Sequence, residues 1–194
     1  PNLQNIPIQT ELGNEIRKAF VAEKGFKLVA ADYSQIQLRI AASLSRDKAM
    51  IDAFKSGADI HTATAARVFA VAPEKVTPEM RRQAKVINFG ILYGMGANAL
   101  ARGAGMTVGE AREFIVRYFE AHPGLRSFLE ETKIKAKVSG YVETIFGRRR
   151  YFADLTSGVP QLQASAERMA MNMPIQGAEA DIMKLAMLEV ARGL

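Results

Sequence analysis

The sequence predicts a mostly helical α+β fold, and three observations carry that reading. Apolar residues recur at helical spacing along most of the chain, as at Ile36, Ile40 and Leu44. Arg81, Lys85, Phe89 and Tyr93 repeat every four residues, which puts them on one face of a helix. Strand signals are few: one apolar run at 26–31 and one alternating pair at 141–146 and 149–152.

Each element has its own local signal. FKLVAA at 26–31 reads as a short buried strand that delivers Asp32 to its end. A helix follows the aspartate. Asp47 and Asp59 are N-cap residues for helices at 48–56 and 60–70. Thr77-Pro78-Glu79 combines a capping hydroxyl, a first-turn proline and an acid, so a helix opens at Pro78 and runs to Tyr93. Gly94 and Gly96 end it. Two amphipathic helices, 107–120 and 124–138, meet at His122-Pro123-Gly124. Phe146-Gly147-Arg148 is the turn of a hairpin. An Ala/Met-rich helical stretch runs from about Gln161 to Leu194, with Pro174 as an expected interruption. There is no internal repeat and no low-complexity tract.

The 194 residues suit one domain or slightly more, with 48% apolar residues for a core. No apolar run is long enough to cross a bilayer. Twenty-six Lys and Arg against 20 Asp and Glu leave a formal charge of +6, which suits a nucleic-acid partner or an ordinary basic protein equally. The absence of cysteine excludes disulfides and cysteine-based metal or nucleophile sites, and two histidines exclude a histidine-rich one. The chain begins at Pro1, inside a motif, and so reads as a piece of a longer protein.

The four-residue stripe carries chemistry. Arg81 and Lys85 put two fixed cations ahead of an aromatic ring and a phenol, an arrangement that can hold the phosphates, sugar and base of a nucleoside triphosphate. Upstream, Asp32 in DYSQIQLRI offers the hard oxygen that a phosphate-bound Mg²⁺ accepts. Together DYSQIQLRI at 32–40 and RRQAKVINFGILYG at 81–94 resemble the family A DNA polymerases, the bacterial DNA polymerase I group. The resemblance extends to PNLQNIP at 1–7, DIHTATA at 59–65, GYVETIFGRRR at 140–150 and AERMAMNMPIQGAEADIMK at 166–184.

The resemblance implies a palm split in sequence, with a partial antiparallel sheet and an inserted helical fingers subdomain. Residues 1–60 would be the first part of the palm, 61–150 the fingers with their nucleotide-binding helix at 78–93, and 151–194 the second part of the palm. It implies template-directed DNA synthesis in replication and repair, with two Mg²⁺ ions as cofactors and with primer-template DNA and deoxynucleoside triphosphates as partners. It also implies a cytoplasmic monomer with no membrane contact, an organellar setting being the alternative location. Asp32 and Lys85 would be catalytic, and Asp32 with the Tyr33 carbonyl would bind metal. Gln37, His61, Arg81, Lys85, Phe89 and Tyr93 would meet the nucleotide. Arg168, Asn172 and Gln176 would meet the DNA, the last two at minor-groove edges whose acceptors all base pairs share.

Each of these residues has a plainer alternative: a helix cap for Asp32, a solvated face for Arg81 and Lys85, core packing for Phe89 and Tyr93, a half-buried helix position for His61, and a solvent-facing stripe for Arg168, Asn172 and Gln176. Arg148, Arg149 and Arg150 are either a solvated turn or a clamp on template backbone. Three features depart from the family. Gln37 stands where glutamate is usual; it keeps the shape and an acceptor oxygen but loses the charge. Gln9 stands in a stretch where relatives often carry arginine. The second metal-binding aspartate, from a His-Asp-Glu hairpin, is not in the sequence, so the isolated chain is expected not to extend primers. A single-subunit RNA polymerase relative and a non-catalytic nucleic-acid-binding remnant are the alternative functions; the DYSQ form of the first motif and Phe89 argue against the former. GMGANA at 94–99 matches a dinucleotide-binding fingerprint, but it ends a helix instead of following a strand.

Overall fold

A computed structural model describes residues 6, 7 and 10–193. Gln9 and the first five residues of PNLQNIP lie outside the described residues, as does Leu194. By contacts the chain divides into two units, Pro1–Ser34 and Gln35–Leu194.

Among its described residues the first unit holds one helix, α1 (Glu11–Lys18), that sequence periodicity did not anticipate. Its start is locally encoded: the Thr10 hydroxyl accepts from the Gly13 N–H, Glu11 lies in the first turn, and Arg17 and Lys18 lie in the last. The expected strand at 26–31 is not formed. These residues form no regular element, and Phe26, Leu28 and Val29 are 72%, 69% and 89% exposed. An apolar run becomes a strand only when a neighbour supplies the ladder bonds, and no described residue does so here.

The second unit is built from eight α-helices, two short 3-10 helices and one hairpin among the described residues. Helix α2 (Ile36–Ser45) buries Leu38, Ile40, Ala41 and Ala42. Asp47 caps α3 (Lys48–Lys55) and Asp59 caps α4 (Ile60–Val68), each carboxylate accepting from an N–H three residues on. Thr77 caps α5 (Pro78–Leu92), with proline at the first turn as the sequence predicted. Gly94 then turns the chain with φ +66. A short helix not foreseen, α6 (Ala97–Ala104), follows at once, with Gly96 as its N-cap. The 94–99 glycine motif therefore joins two helices, and no strand precedes it.

Helix α7 (Val108–Ala121) opens with a reciprocal cap: Thr107 accepts from the Glu110 N–H while Glu110 accepts from the Thr107 N–H. Helix α8 (Pro123–Ser139) follows across His122. Asp47 fixes that corner. Beyond capping α3, it accepts from the N–H groups of Gly124 at 3.0 Å and Leu125 at 3.4 Å and pairs with His122 Nδ1 at 3.2 Å. Burial works against a charge there, but these hydrogen bonds hold its carboxyl below the usual range.

The hairpin is shorter than the alternation suggested. β1 (Tyr141–Glu143) pairs antiparallel with β2 (Arg149–Tyr151), Tyr141 opposite Tyr151. Residues 144–148 are used by the turn, where the Thr144 hydroxyl accepts from the N–H of Phe146 and of Arg148. Helix α9 (Pro160–Gly193) runs through Pro174 without a break, contrary to the interruption expected. Proline deletes one N–H donor there, but Met173, Pro174 and Ile175 are all buried, and that packing holds the helix together. One apolar core joins α2 to the helices after it; a second, smaller cluster joins α8, the hairpin and α9 through Ala136, Val142, Phe152, Ala170 and Met173.

Candidate functional site

Helix α5 buries Ala84, Ile87, Asn88, Ile91 and Leu92, and Arg81, Lys85, Phe89 and Tyr93 run beside that buried face as one stripe. Arg81 and Lys85 are exposed, and Phe89 and Tyr93 are half-buried. Gly90 lets α6 approach: a Cβ there would lie 2.2 Å from Leu100 Cδ2.

Arg81 is already engaged. Its Nε donates to Asp59 Oδ2 at 2.9 Å and its terminal nitrogen to Oδ1 at 3.0 Å, a two-pronged ion pair. The same carboxylate accepts from the Thr62 N–H and hydroxyl. Partial burial alone would raise the Asp59 pKa; the bonds from Arg81 and Thr62 outweigh it and hold the carboxyl at about 2. Lys85, one turn along, takes part in no ion pair among the described residues.

His61 lies beneath this stripe, 2% exposed, with its ring 5.8 Å from that of Phe89. Asn88 Nδ2 meets His61 Nδ1 at 3.0 Å, and Asn88 also shares a hydrogen bond with the Thr64 hydroxyl. An amide donating to Nδ1 leaves the imidazole proton on Nε2. Burial, with Arg81 and Lys85 adding to it against the pull of Asp59, lowers the His61 pKa and favours the neutral ring.

Gln37 on α2 ties the stripe to α9. The Tyr93 hydroxyl donates to Gln37 Oε1 at 2.8 Å, and Gln37 Nε2 donates to Glu179 Oε2 at 2.8 Å. Arg168, Asn172 and Gln176 share one face of α9. The Arg168 side chain lies against Gly94, where a Cβ would come within 2.8 Å of Arg168 Cγ. With Arg102 and Arg112 it borders a depression next to Tyr93. The three arginines of the hairpin all have partners: Arg148 the buried Asp181, Arg149 Glu143 and the Tyr141 ring, and Arg150 the Phe152 ring.

Asp32 and Tyr33 belong to the first unit and are exposed, Tyr33 by 50%. A carboxylate and a backbone carbonyl are hard oxygen donors of the kind Mg²⁺ takes. They are too few for two ions, and the described residues contain no group of three His, Asp or Glu that could hold a metal. The described donors alone therefore do not make a two-ion site. No helix among them is long and apolar enough to cross a membrane.

Sequence reasoning missed Asp59 as the partner of Arg81, Asn88 as the partner of His61, and Glu179. Asp59 was visible only as a cap. Asn88 signals itself as a polar residue on the apolar face of α5. Glu179 lies seven residues past Asn172 on the same face of α9 and could have been found by continuing that stripe.

The chain is 54% identical over 190 residues to the thermostable DNA polymerase I of Thermus filiformis and to that of Thermus aquaticus, covering 98% of the chain and 23% of each relative. It is 52% identical to DNA polymerase I of Pseudomonas aeruginosa, covering 21% of that protein. The chain thus spans about a quarter or less of the length of these relatives. Among solved structures, the POL domain of Pol1 from M. smegmatis, in complex with DNA primer-template and dNTP, superposes with a TM-score of 0.91 at 45% identity, over 100% of this chain and 34% of that one. The family model for DNA polymerase family A matches residues 1–194, and with these likenesses it establishes that the chain belongs to that family.

Proposed function

We propose that this chain carries the nucleotide-binding part of a DNA-directed DNA polymerase, acting in replication and repair on primer-template DNA and deoxynucleoside triphosphates. The observation that carries the reading is the α5 stripe with Tyr93 locked to Gln37 at 2.8 Å: two cations, a ring and a walled-off phenol in the order phosphate, sugar and base require. In domain terms, residues 1–60 and 151–194 are palm and 61–150 are fingers.

The reaction is in-line attack of a primer 3′-hydroxyl on the α-phosphorus. A P–O bond forms to the primer, the bond to the bridging oxygen breaks, pyrophosphate leaves, and the hydroxyl proton is lost to solvent. Arg81 meets the outer phosphates, and Lys85, one turn nearer the reacting phosphorus, also stabilises charge that develops there. The His61 Nε2–H is a further phosphate donor. Phe89 packs against sugar and base. Gln37, held by Tyr93, fills the space a ribose 2′-hydroxyl would need. Arg168, Asn172 and Gln176 test the shape of the newly formed pairs from the minor-groove side. Mg²⁺ is the proposed cofactor, with Asp32 and the Tyr33 carbonyl as part of its donor set.

The family membership and the retention of Arg81, Lys85, Phe89 and Tyr93 on one face favour a catalytic polymerase over an RNA polymerase relative or a non-catalytic remnant. The test is Asp32→Ala in the complete polymerase that carries this chain. Primer extension is expected to be abolished while duplex binding stays within about twofold, because phosphate contacts elsewhere dominate affinity. Extension near the wild-type rate would leave Asp32 with no part in the chemistry, and no role as a helix cap either, since α2 starts after Gln35 with no side-chain cap bond.

A further inference from the structure

The Gln37 side chain makes two different hydrogen bonds. Its oxygen accepts from the Tyr93 hydroxyl, and its nitrogen donates to Glu179, each at 2.8 Å. An amide looks much the same either way round, so a neighbour must choose its orientation. Tyr93 cannot choose, because a hydroxyl donates or accepts with equal ease. An ionised carboxylate only accepts, so Glu179 takes the nitrogen and leaves the oxygen facing Tyr93.

Resting on the reading of Gln37 as the wall beside the nucleotide's 2′ position, we propose that Glu179 is a positioning residue for sugar selection. It fixes the Gln37 amide, and through it the Tyr93 ring, and it supplies beside that wall the negative charge that glutamine lacks. Gln37 comes from α2, Tyr93 from the C-terminal end of α5 and Glu179 from α9, so the relay also sets the spacing of three helices around the site. Both outer groups are half-buried, where a charge-assisted bond counts for more than it does in open water.

The relay reverses an expectation drawn from side-chain volume. By shape alone, Gln37→Glu should be nearly silent. With Glu179 at hydrogen-bond distance it puts two carboxylates face to face, and one must take up a proton or turn away. The substitution becomes tolerable when the polarity of the pair is exchanged, with Gln37→Glu and Glu179→Gln together. An amide from α9 then donates to a carboxylate from α2 that still accepts from Tyr93.

The experiment is competition between a ribo- and a deoxynucleoside triphosphate at a single template position, using the complete polymerase that carries this chain. Glu179→Ala and Gln37→Glu are each expected to reduce discrimination against the ribonucleotide by about tenfold, the scale of one lost charge-assisted hydrogen bond. The exchanged double variant is expected to recover most of it, which a merely structural role for Glu179 would not produce. Discrimination within twofold of wild type in Glu179→Ala, or an exchanged pair no better than Gln37→Glu alone, overturns the proposal. Gln37→Ala separates the two levels of the argument. If it raises ribonucleotide use while Glu179→Ala does not, Glu179 alone has been misread; if it changes nothing, the reading of Gln37 falls as well.

Discussion

Asp59 binds Arg81 through both carboxylate oxygens, at 2.9 and 3.0 Å, although the two residues stand on different helices. The aspartate that starts α4 therefore also holds the first cation of the α5 stripe. A triphosphate that recruits Arg81 must share it with Asp59 or take it away.

Asp59→Asn separates the two jobs. Asparagine caps a helix as well as aspartate does, so the start of α4 should survive, whereas the ion pair is lost. Deoxynucleotide affinity of the complete polymerase is expected to rise about threefold, since Arg81 no longer exchanges a charged partner. Equilibrium binding with a chain-terminated primer measures it, and weaker binding would show that Asp59 orients Arg81 instead of competing for it.

The same contact predicts a pH dependence. The Asp59 carboxyl is held at about 2 against an ordinary 3.8. Because its folded-state value is lowered, its contribution to stability is fully present above 3.8 and is lost as pH falls through about 2. A carboxyl-carbon NMR titration should find that low midpoint in the wild type and a higher one in Arg81→Ala. An unchanged midpoint in the variant would mean that the cap bonds from Thr62 suffice.

Gly90→Ala tests the seat of α5. The added methyl would lie 2.2 Å from Leu100 Cδ2, so α6 must move or Leu100 must change rotamer. Overpacking of this kind costs about 1–3 kcal/mol. Gain of an alanine in place of a helix glycine returns up to about 1 kcal/mol, so thermal unfolding should still show net destabilisation. A raised melting temperature would mean that the contact relaxes freely.

Local signals read from sequence were accurate where local chemistry decides the structure. The starts of α3, α4 and α5 at Asp47, Asp59 and Thr77 were visible because each cap bond spans three residues. The stripe on α5 was visible because its spacing needs only the helix. The run at 26–31 misled because an apolar segment says nothing of whether a partner strand lies beside it. Helix α6 starts from Gly96 with no side-chain cap to announce it, whereas α1 carries a readable cap at Thr10 that the sequence reading passed over. Pro174 misled because local cost was weighed without the burial that offsets it. The Gln37–Glu179 bond joins residues 142 apart, and no local rule reaches that far.

The central claim is that one face of α5 holds a triphosphate, with Arg81 on its outer phosphates and Lys85 nearer the chemistry. Single-turnover incorporation of a deoxynucleotide by the complete polymerase, across a range of nucleotide concentrations, tests it most directly. Arg81→Ala should weaken nucleotide binding about tenfold with a smaller effect on the maximal rate, and Lys85→Ala should lower the rate as well by about a hundredfold, the scale of a lost electrostatic contact to developing charge. Unchanged affinity and rate in both variants would make the stripe a solvated helix face and contradict the account.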